Sequence, residues 1–397
     1  MSIDVRTVAS ESVAPAQPTR RPRVSLTVWL YCAIATTLTA IVAVAPSVWP
    51  RGDAPGRPQM VVDWLLGNWL WWDGGWYLHI AQYGYSYHPN QQSSVAFFPV
   101  YPLAVRLVGG LVPGGFALAA VVISMVSGLA VLVLFRRWCE RRMSSVAAWW
   151  STVVLAVYPF AWFLYGAAYA DALFLAMTLL AFLLLEDDRP VAAGLAGMVA
   201  TAARPTGVVV LIGLIAVMLH HRGVLQNVRG RVRRRDLGVG VAAVGVVGWC
   251  TWLALRFGHP FAFIETEGAK GWDRAPGLAT WLKFGFFKHL THDPPTKWAP
   301  FVLQGLLCVA FAAAVPAVWR RFGAGYGIYV AAAVLVPAVS TDDFMGTGRY
   351  MLAAFPVFAL IGSNLATAPR VRWTYATVSG AALVLGTSLF ATGHFLT

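Results

Sequence analysis

The chain has 397 residues, of which 58% are hydrophobic and only 12% are charged, and its mean hydropathy is +0.64. Soluble domains carry roughly twice that charged fraction, so the composition excludes an ordinary cytosolic enzyme and points to a multispan membrane protein. Disorder is excluded by 18 Trp, 22 Phe and 13 Tyr.

The net charge of +13 could suggest nucleic acid. Basic residues in membrane proteins first set orientation, however, so no nucleic-acid partner is expected. Cys32, Cys139, Cys250 and Cys308 form no CxxC and have no His at ligand spacing, which argues against a disulfide scaffold or zinc site.

In chain order, residues 1–24, rich in Ser, Pro and Ala with four Arg, read as a flexible basic tail, and 25–397 as a single membrane domain. A crossing needs about 20 largely apolar residues. The first such run, 26–48, is too long for a cleaved leader. Ten more follow at 115–135, 145–165, 169–185, 191–203, 206–219, 237–257, 298–319, 326–340, 350–366 and 373–394. The fold class is therefore an all-α polytopic membrane protein of about eleven transmembrane helices.

With the N-terminus in the cytoplasm, 19 of the 30 basic residues face inward and 11 outward, mostly in two long loops where the charge rule is weakest. Residues 96–112 are apolar, but Pro99, Pro102 and Arg106 interrupt them, so they lie on the outer membrane surface. Residues 191–219 are short for two crossings, yet parity requires two. A pair of short or broken helices meeting at Ala203-Arg204-Pro205-Thr206-Gly207 resolves this. Irregular backbone at membrane depth needs protein or water around it, which makes Arg204 a cavity residue.

The outer loop 49–114 carries six Trp, at 49, 64, 69, 71, 72 and 76. Indoles favour the headgroup zone, and amphipathic segments there lie flat, so this loop is expected to form interfacial helices. Within it stands Trp71-Trp72-Asp73-Gly74-Gly75-Trp76-Tyr77-Leu78-His79. A carboxylate among aromatic rings suits general-base work, and the two glycines allow close backbone approach to a ligand. Asp73 reads equally well as the N-cap of a helix starting near Gly75.

The second long outer loop, 258–297, holds Glu265, Glu267, Lys270, Trp272, Asp273 and Arg274. A lysine and an arginine beside aromatic residues suit an anionic headgroup or phosphate; a solvated rim is the ordinary alternative. Arg349 and Tyr350 follow Gly348 just before a span, and Arg349 reads as a phosphate ligand or an interfacial anchor. Asp171, after Tyr169-Ala170, reads first as an N-cap and second as a cavity residue. His79, His88 and His259 share no metal spacing. No nucleotide-type Gly-rich loop is present, so neither a metal nor a cofactor is expected.

Trp72-Asp73-Gly74-Gly75-Trp76-Tyr77, followed by Ala96-Phe97-Phe98-Pro99-Val100-Tyr101-Pro102, resembles the opening signature of the PIG-V-like mannosyltransferases. These are the GPI mannosyltransferase family with its bacterial relatives, in the GT-C superfamily. Further similar segments are Tyr169-Ala170-Asp171-Ala172-Leu173-Phe174, Ala203-Arg204-Pro205-Thr206-Gly207, Pro260-Phe261-Ala262-Phe263 with Lys270-Gly271-Trp272, and Gly348-Arg349-Tyr350 with Ala354-Phe355-Pro356. The family more often has Glu where Asp171 stands and Arg-Ser-Asn-Gly where this chain has Arg-Pro-Thr-Gly.

The resemblance implies a bacterial member with a GT-C-like fold, a polyprenyl-phosphate-mannose donor, a glycolipid or glycan acceptor among membrane lipids, and metal-independent inverting transfer outside the cell membrane. Asp73 would be the base. Arg204, Arg349 and Lys270 would hold the donor phosphate, with Trp72, Trp76, Tyr77, Asp171, Tyr350 and Trp272 around the substrate. Two other classes compete. A lipid or solute transporter fits the spans and the intramembrane Arg, although the acidic residues all fall at span ends or in loops, not at mid-span. A non-catalytic partner in an envelope complex would use the aromatic loop only to bind lipid.

Overall fold

The computed structural model describes residues 24–54, 56–226, 230–272, 274 and 277–394. The basic tail, Arg229 of the large basic loop and Asp273 fall outside the described residues. Every regular element among the described residues is helical.

A long α1 (Val24–Val48) leads into a loop holding α2 (Asp63–Leu66), α3 (Asp73–Tyr83) and α4 (Val100–Gly109). Next come α5 (Gly115–Glu140), α6 (Ser145–Ala156), α7 (Asp171–Glu186), α8 (Pro190–Thr201), α9 (Val208–His221) and α10 (Ala243–Phe257). A second loop carries α11 (Ala262–Glu267), α12 (Leu278–Trp281) and α13 (Phe284–His292). The chain closes with α14 (Pro295–Phe322), α15 (Ala324–Ser340), α16 (Thr347–Tyr350), α17 (Phe355–Leu365) and α18 (Pro369–Ala391).

Five helical stretches are long and apolar enough to cross a membrane: Ser25–Val48, Gly115–Glu140, Arg234–Phe257, Lys297–Phe322 and Pro369–Ala391. They make the chain a multi-pass membrane protein. Each of the other apolar runs also contains a helix, but two are not single helices. In run 145–165, α6 stops at Ala156 ahead of Pro159, which has no N–H to continue the ladder. In run 350–366, the backbone leaves helix at Ala354 and restarts as α17, with Pro356 in its first turn, where a missing N–H costs nothing. The helix α4 has ten residues, half a crossing. It buries Tyr101, Pro102, Val105 and Gly109 and exposes Leu103 and Leu107.

The break between α8 and α9 falls at Arg204, whose backbone is extended (φ −165°, ψ 157°), followed by a 3-10 turn over Pro205–Gly207. Pairs α5 with α7, α7 with α8, α9 with α15, α6 with α17 and α1 with α18 form the packed body. Between helices, small residues allow backbones to meet. At Gly128 of α5, a Cβ would collide with the Leu164 carbonyl oxygen. The same carbonyl lies 2.9 Å from the Tyr31 hydroxyl of α1, which is also 2.6 Å from the Met125 carbonyl. Three segments thus converge on one point.

Gly128→Ala is expected to cost about 1–3 kcal/mol by overpacking, seen as a lower thermal midpoint in detergent. An unchanged midpoint would show that Leu164 can move aside.

Candidate active site

The first turn of α3, the N-terminus of α7, the α8–α9 break, the second outer loop and α16 meet around a cleft of about 510 Å³. Its lining includes Asp73, Tyr77, Asp171, Arg204, Glu267, Trp272, Arg274, Arg349 and Tyr350. Five of the lining residues (Arg204, Pro205, Glu267, Arg274 and Tyr350) also line an adjoining groove of about 1040 Å³, whose other walls are mainly apolar, with Phe263, Ile264, Trp281, Val336 and Val339.

Asp73 begins α3, and no side chain caps that helix. Its carboxylate instead faces Arg349, with Oδ2 3.0 Å from Nη1. The Asp73 backbone N–H donates to the Tyr169 hydroxyl at 3.2 Å. The preceding residue, Trp72, takes the left-handed value φ 57°, and Trp71 on its far side donates its indole N–H to the Ala391 carbonyl at 2.9 Å. The turn is therefore pinned on both sides of Trp72. Neither Gly74 nor Gly75 lines the cleft; Gly74 faces Ala168, where a Cβ would make ordinary contact at 3.5 Å. The expected glycine approach to a ligand is not what these residues provide.

Asp171 is not the cap of α7: that helix has no side-chain cap. The carboxylate, 5% exposed, forms an ion pair with Arg204 and lies 3.8 Å from Arg349 Nε. A guanidinium is a stronger partner for a buried carboxylate than a helix-end N–H, which is why the capping expectation fails. Arg349 is 6% exposed and Arg204 is 9% exposed, so Arg349 is no interfacial anchor. The Arg349 guanidinium lies among the Phe163, Tyr169 and Tyr350 rings at 5.1–5.3 Å, and that of Arg204 sits 4.6 Å from the Tyr350 ring. Cation–π contact supplements the ion pairs.

Lys270 is exposed and does not line the cleft; its carbonyl accepts from Gln92 at 3.3 Å. The third guanidinium belongs to Arg274, which donates to the Tyr350 hydroxyl and to Glu267, each at 3.3 Å. Arg349 also donates to the Tyr350 hydroxyl, at 3.2 Å. Tyr77 packs edge-on against Phe97 at 5.1 Å, Trp76 stacks on Phe97 at 5.6 Å, and Trp272 meets Trp76 and Phe97 at 5.7 and 5.8 Å. These rings cover one side of the cleft. Among the described residues, no three His, Cys, Asp or Glu side chains gather in a way that could hold a metal.

The two outer loops are tied together at Glu265. It accepts from the Tyr87 hydroxyl at 2.8 Å and the Asn90 N–H at 3.1 Å, and His259 lies 3.1 Å away. The Tyr87 hydroxyl, with Asn90 and His259 behind it, holds the Glu265 carboxyl below the usual glutamate range. A carboxyl depressed in the folded state stabilises above its unfolded value, and that contribution is lost as pH falls through the folded value. The difference in thermal midpoint between wild type and Glu265→Gln should therefore hold steady above about pH 4.3 and shrink below it; a difference independent of pH would contradict the tether. Removing one partner of a buried ion pair costs about 3–5 kcal/mol, so Asp171→Asn should lower the midpoint more than the same change at Asp73, which is 34% exposed. Equal losses would contradict the burial difference.

Residues 25–243 match the family model described as Mannosyltransferase (PIG-V). The chain is 32% identical over 170 residues to the GPI alpha-1,6-mannosyltransferase 2 of Rattus norvegicus, covering 40% of this chain and 34% of that protein. It is 30% identical over 141 residues to the GPI mannosyltransferase 2 of Drosophila melanogaster, covering 33% and 30%. The matches thus span about a third of those relatives' length. In fold, the chain is similar to ArnT from Cupriavidus metallidurans solved with undecaprenyl phosphate, with a TM-score of 0.51 at 16% identity over 93% of this chain and 76% of that one. That likeness gives a GT-C-like fold, and the family match covers more than half of the sequence. The chain belongs to the PIG-V mannosyltransferase family.

Proposed function

We propose that the protein transfers mannose from a polyprenyl-phosphate donor to a hydroxyl of a glycolipid or glycan acceptor at the extracytoplasmic face of the cell membrane, with the N-terminus in the cytoplasm. The observation that carries this reading is the junction of the charged cleft with the apolar groove, where Arg204, Arg274 and Tyr350 line both. A lipid phosphate has the same division, a charged head on a hydrocarbon tail. Family membership supports the sugar, and the ArnT complex with undecaprenyl phosphate supports the class of lipid.

In this reading the phosphate sits at the junction, the prenyl chain lies in the groove, and the mannose reaches toward Asp73. The Asp73 carboxylate takes the proton of the acceptor hydroxyl as its oxygen bonds to the anomeric carbon. The bond from that carbon to the phosphate oxygen breaks, and its electron pair leaves on the phosphate. The guanidiniums of Arg204, Arg274 and Arg349 stabilise the negative charge that accumulates there, an electrostatic task suited to fixed donors in a site screened from water. A single carboxylate and a single displacement give inversion. Arg349 holds Asp73, so one side chain both aims the base and faces the leaving group. Trp76, Tyr77 and Trp272 belong to the aromatic side of the site, and Asp171 orients Arg204 and Arg349.

The test is turnover of polyprenyl-phosphate-mannose with a membrane acceptor extract, read as released polyprenyl phosphate. Asp73→Asn should lose about 10²–10⁴-fold, the usual contribution of a general base, with its fold intact. Arg274→Ala should raise the donor KM, while Lys270→Ala leaves it unchanged. Full turnover by Asp73→Asn would refute the assignment of the base, and a Lys270 effect larger than that of Arg274 would refute the phosphate site.

A further inference from the structure

The second outer loop contains a feature that glycosyl transfer does not explain. Within thirteen residues, Leu278, Trp281, Leu282, Phe284, Phe287 and Leu290 all present large apolar side chains to the outside, Phe284 and Phe287 each 57% exposed. They belong to α12 and α13 and the turn between them, where Lys283 adopts φ 59°. In α13 the spacing 284, 287, 290 or 291 follows the helix period, so Phe284, Phe287 and Leu290 form one outer stripe with Lys288 at its edge.

The opposite face grips the body. The Phe286 N–H donates to the Asp342 carbonyl at 3.0 Å, and its ring meets Phe344 edge-on at 5.3 Å. Gly285 lies so close to the Asp342 carboxylate that a Cβ would collide with it. The Lys283 ammonium donates to the carbonyls of Ala338 and Thr341, closing the C-terminal end of α15, and lies 4.6 Å from the Phe344 ring. His289 stacks on Phe301 at 4.8 Å. Apart from Phe301 of α14, the groups gripped here lie in residues 338–344, the segment that runs directly into α16 with Arg349 and Tyr350. Trp281 completes the link by lining the apolar groove.

We infer that α12 and α13 form a strap seated in the lipid interface, which clamps the segment leading to Arg349 against the body. The occupant of the outer stripe is lipid, because the strap is bounded by two membrane-length helices, ending at Phe257 and beginning at Lys297. Its stripe therefore continues their apolar surface at the level where they leave the bilayer. Lys288 and Lys297 flank it with charges suited to lipid phosphates. This inference concerns the strap and does not depend on the reaction.

The test places a fluorophore at Phe287→Cys in full-length protein carrying Cys32→Ala and Cys250→Ala, reconstituted in vesicles of phosphatidylcholine with phosphatidylglycerol. Quenching should be strong from nitroxides attached near the lipid headgroup and at least fivefold weaker from aqueous iodide. A label at Gln91→Cys, in the exposed part of the first loop, should show the reverse order. Iodide quenching at 287 equal to that at 91 would overturn the seating. For the clamp, Phe284→Glu combined with Phe287→Glu should speed hydrogen exchange in residues 341–350 at least fivefold while leaving α5 and α7 unchanged. Unchanged exchange in 341–350 would overturn the clamp.

Discussion

Charge at the edge of hydrocarbon survives only when it is matched, and here the match also builds the site. Arg349 and Arg204 are almost wholly buried, and between them they engage Asp73 and Asp171. Each of these four residues comes from a different part of the chain: the first outer loop, the start of α7, the α8–α9 break and α16. Removing Asp171 would leave the buried Arg204 without its ion-pair partner, a cost of several kcal/mol. The three contacts between these charges tie the four segments together, and in doing so they place a partly exposed carboxylate opposite guanidiniums at the mouth of an apolar groove.

The irregular backbone of the protein is concentrated at this point. Arg204 stands in an extended residue between two short helices, Asp73 follows a left-handed tryptophan, and Arg349 sits on a four-residue helix. Helix interrupted at membrane depth leaves backbone groups to be satisfied by neighbours, and the side chains it releases can point into a cavity. Long helices such as α5, α14 and α18 supply the rigid body against which these breaks are held. The aromatic cover from Trp76, Phe97 and Trp272 closes the side of the cleft that the helices leave open.

Much of this could be read from residues alone. The runs of apolar residues marked the helices, and the length of 191–219 together with Pro205 marked the interruption from which Arg204 reaches the cleft. Asp73 stood out because a carboxylate in a tryptophan cluster is chemically unusual. What could not be read depends on distant contacts. Asp171 looks like a cap because caps are local, whereas its partner Arg204 is 33 residues away. Lys270 and Arg274 are four residues apart in a loop without periodicity. Which of them enters the cleft is decided by the turns at Gly268 and Trp272 and by the hydrogen bond of 2.9 Å from the Arg274 N–H to the Glu267 carbonyl. The breaks near Pro159 and Pro356 were masked by apolar composition, which counts hydropathy and ignores the missing N–H.

A structure of the protein in complex with polyprenyl phosphate would test the central claim most directly. The account predicts the phosphorus within hydrogen-bond reach of at least two of the guanidiniums of Arg204, Arg274 and Arg349, the prenyl chain along Trp281 and Val336, and the Asp73 carboxylate facing the side from which an acceptor would enter. A phosphate bound elsewhere with all three arginines still engaged only by protein groups, or an Asp73 carboxylate turned away from it, would contradict the account.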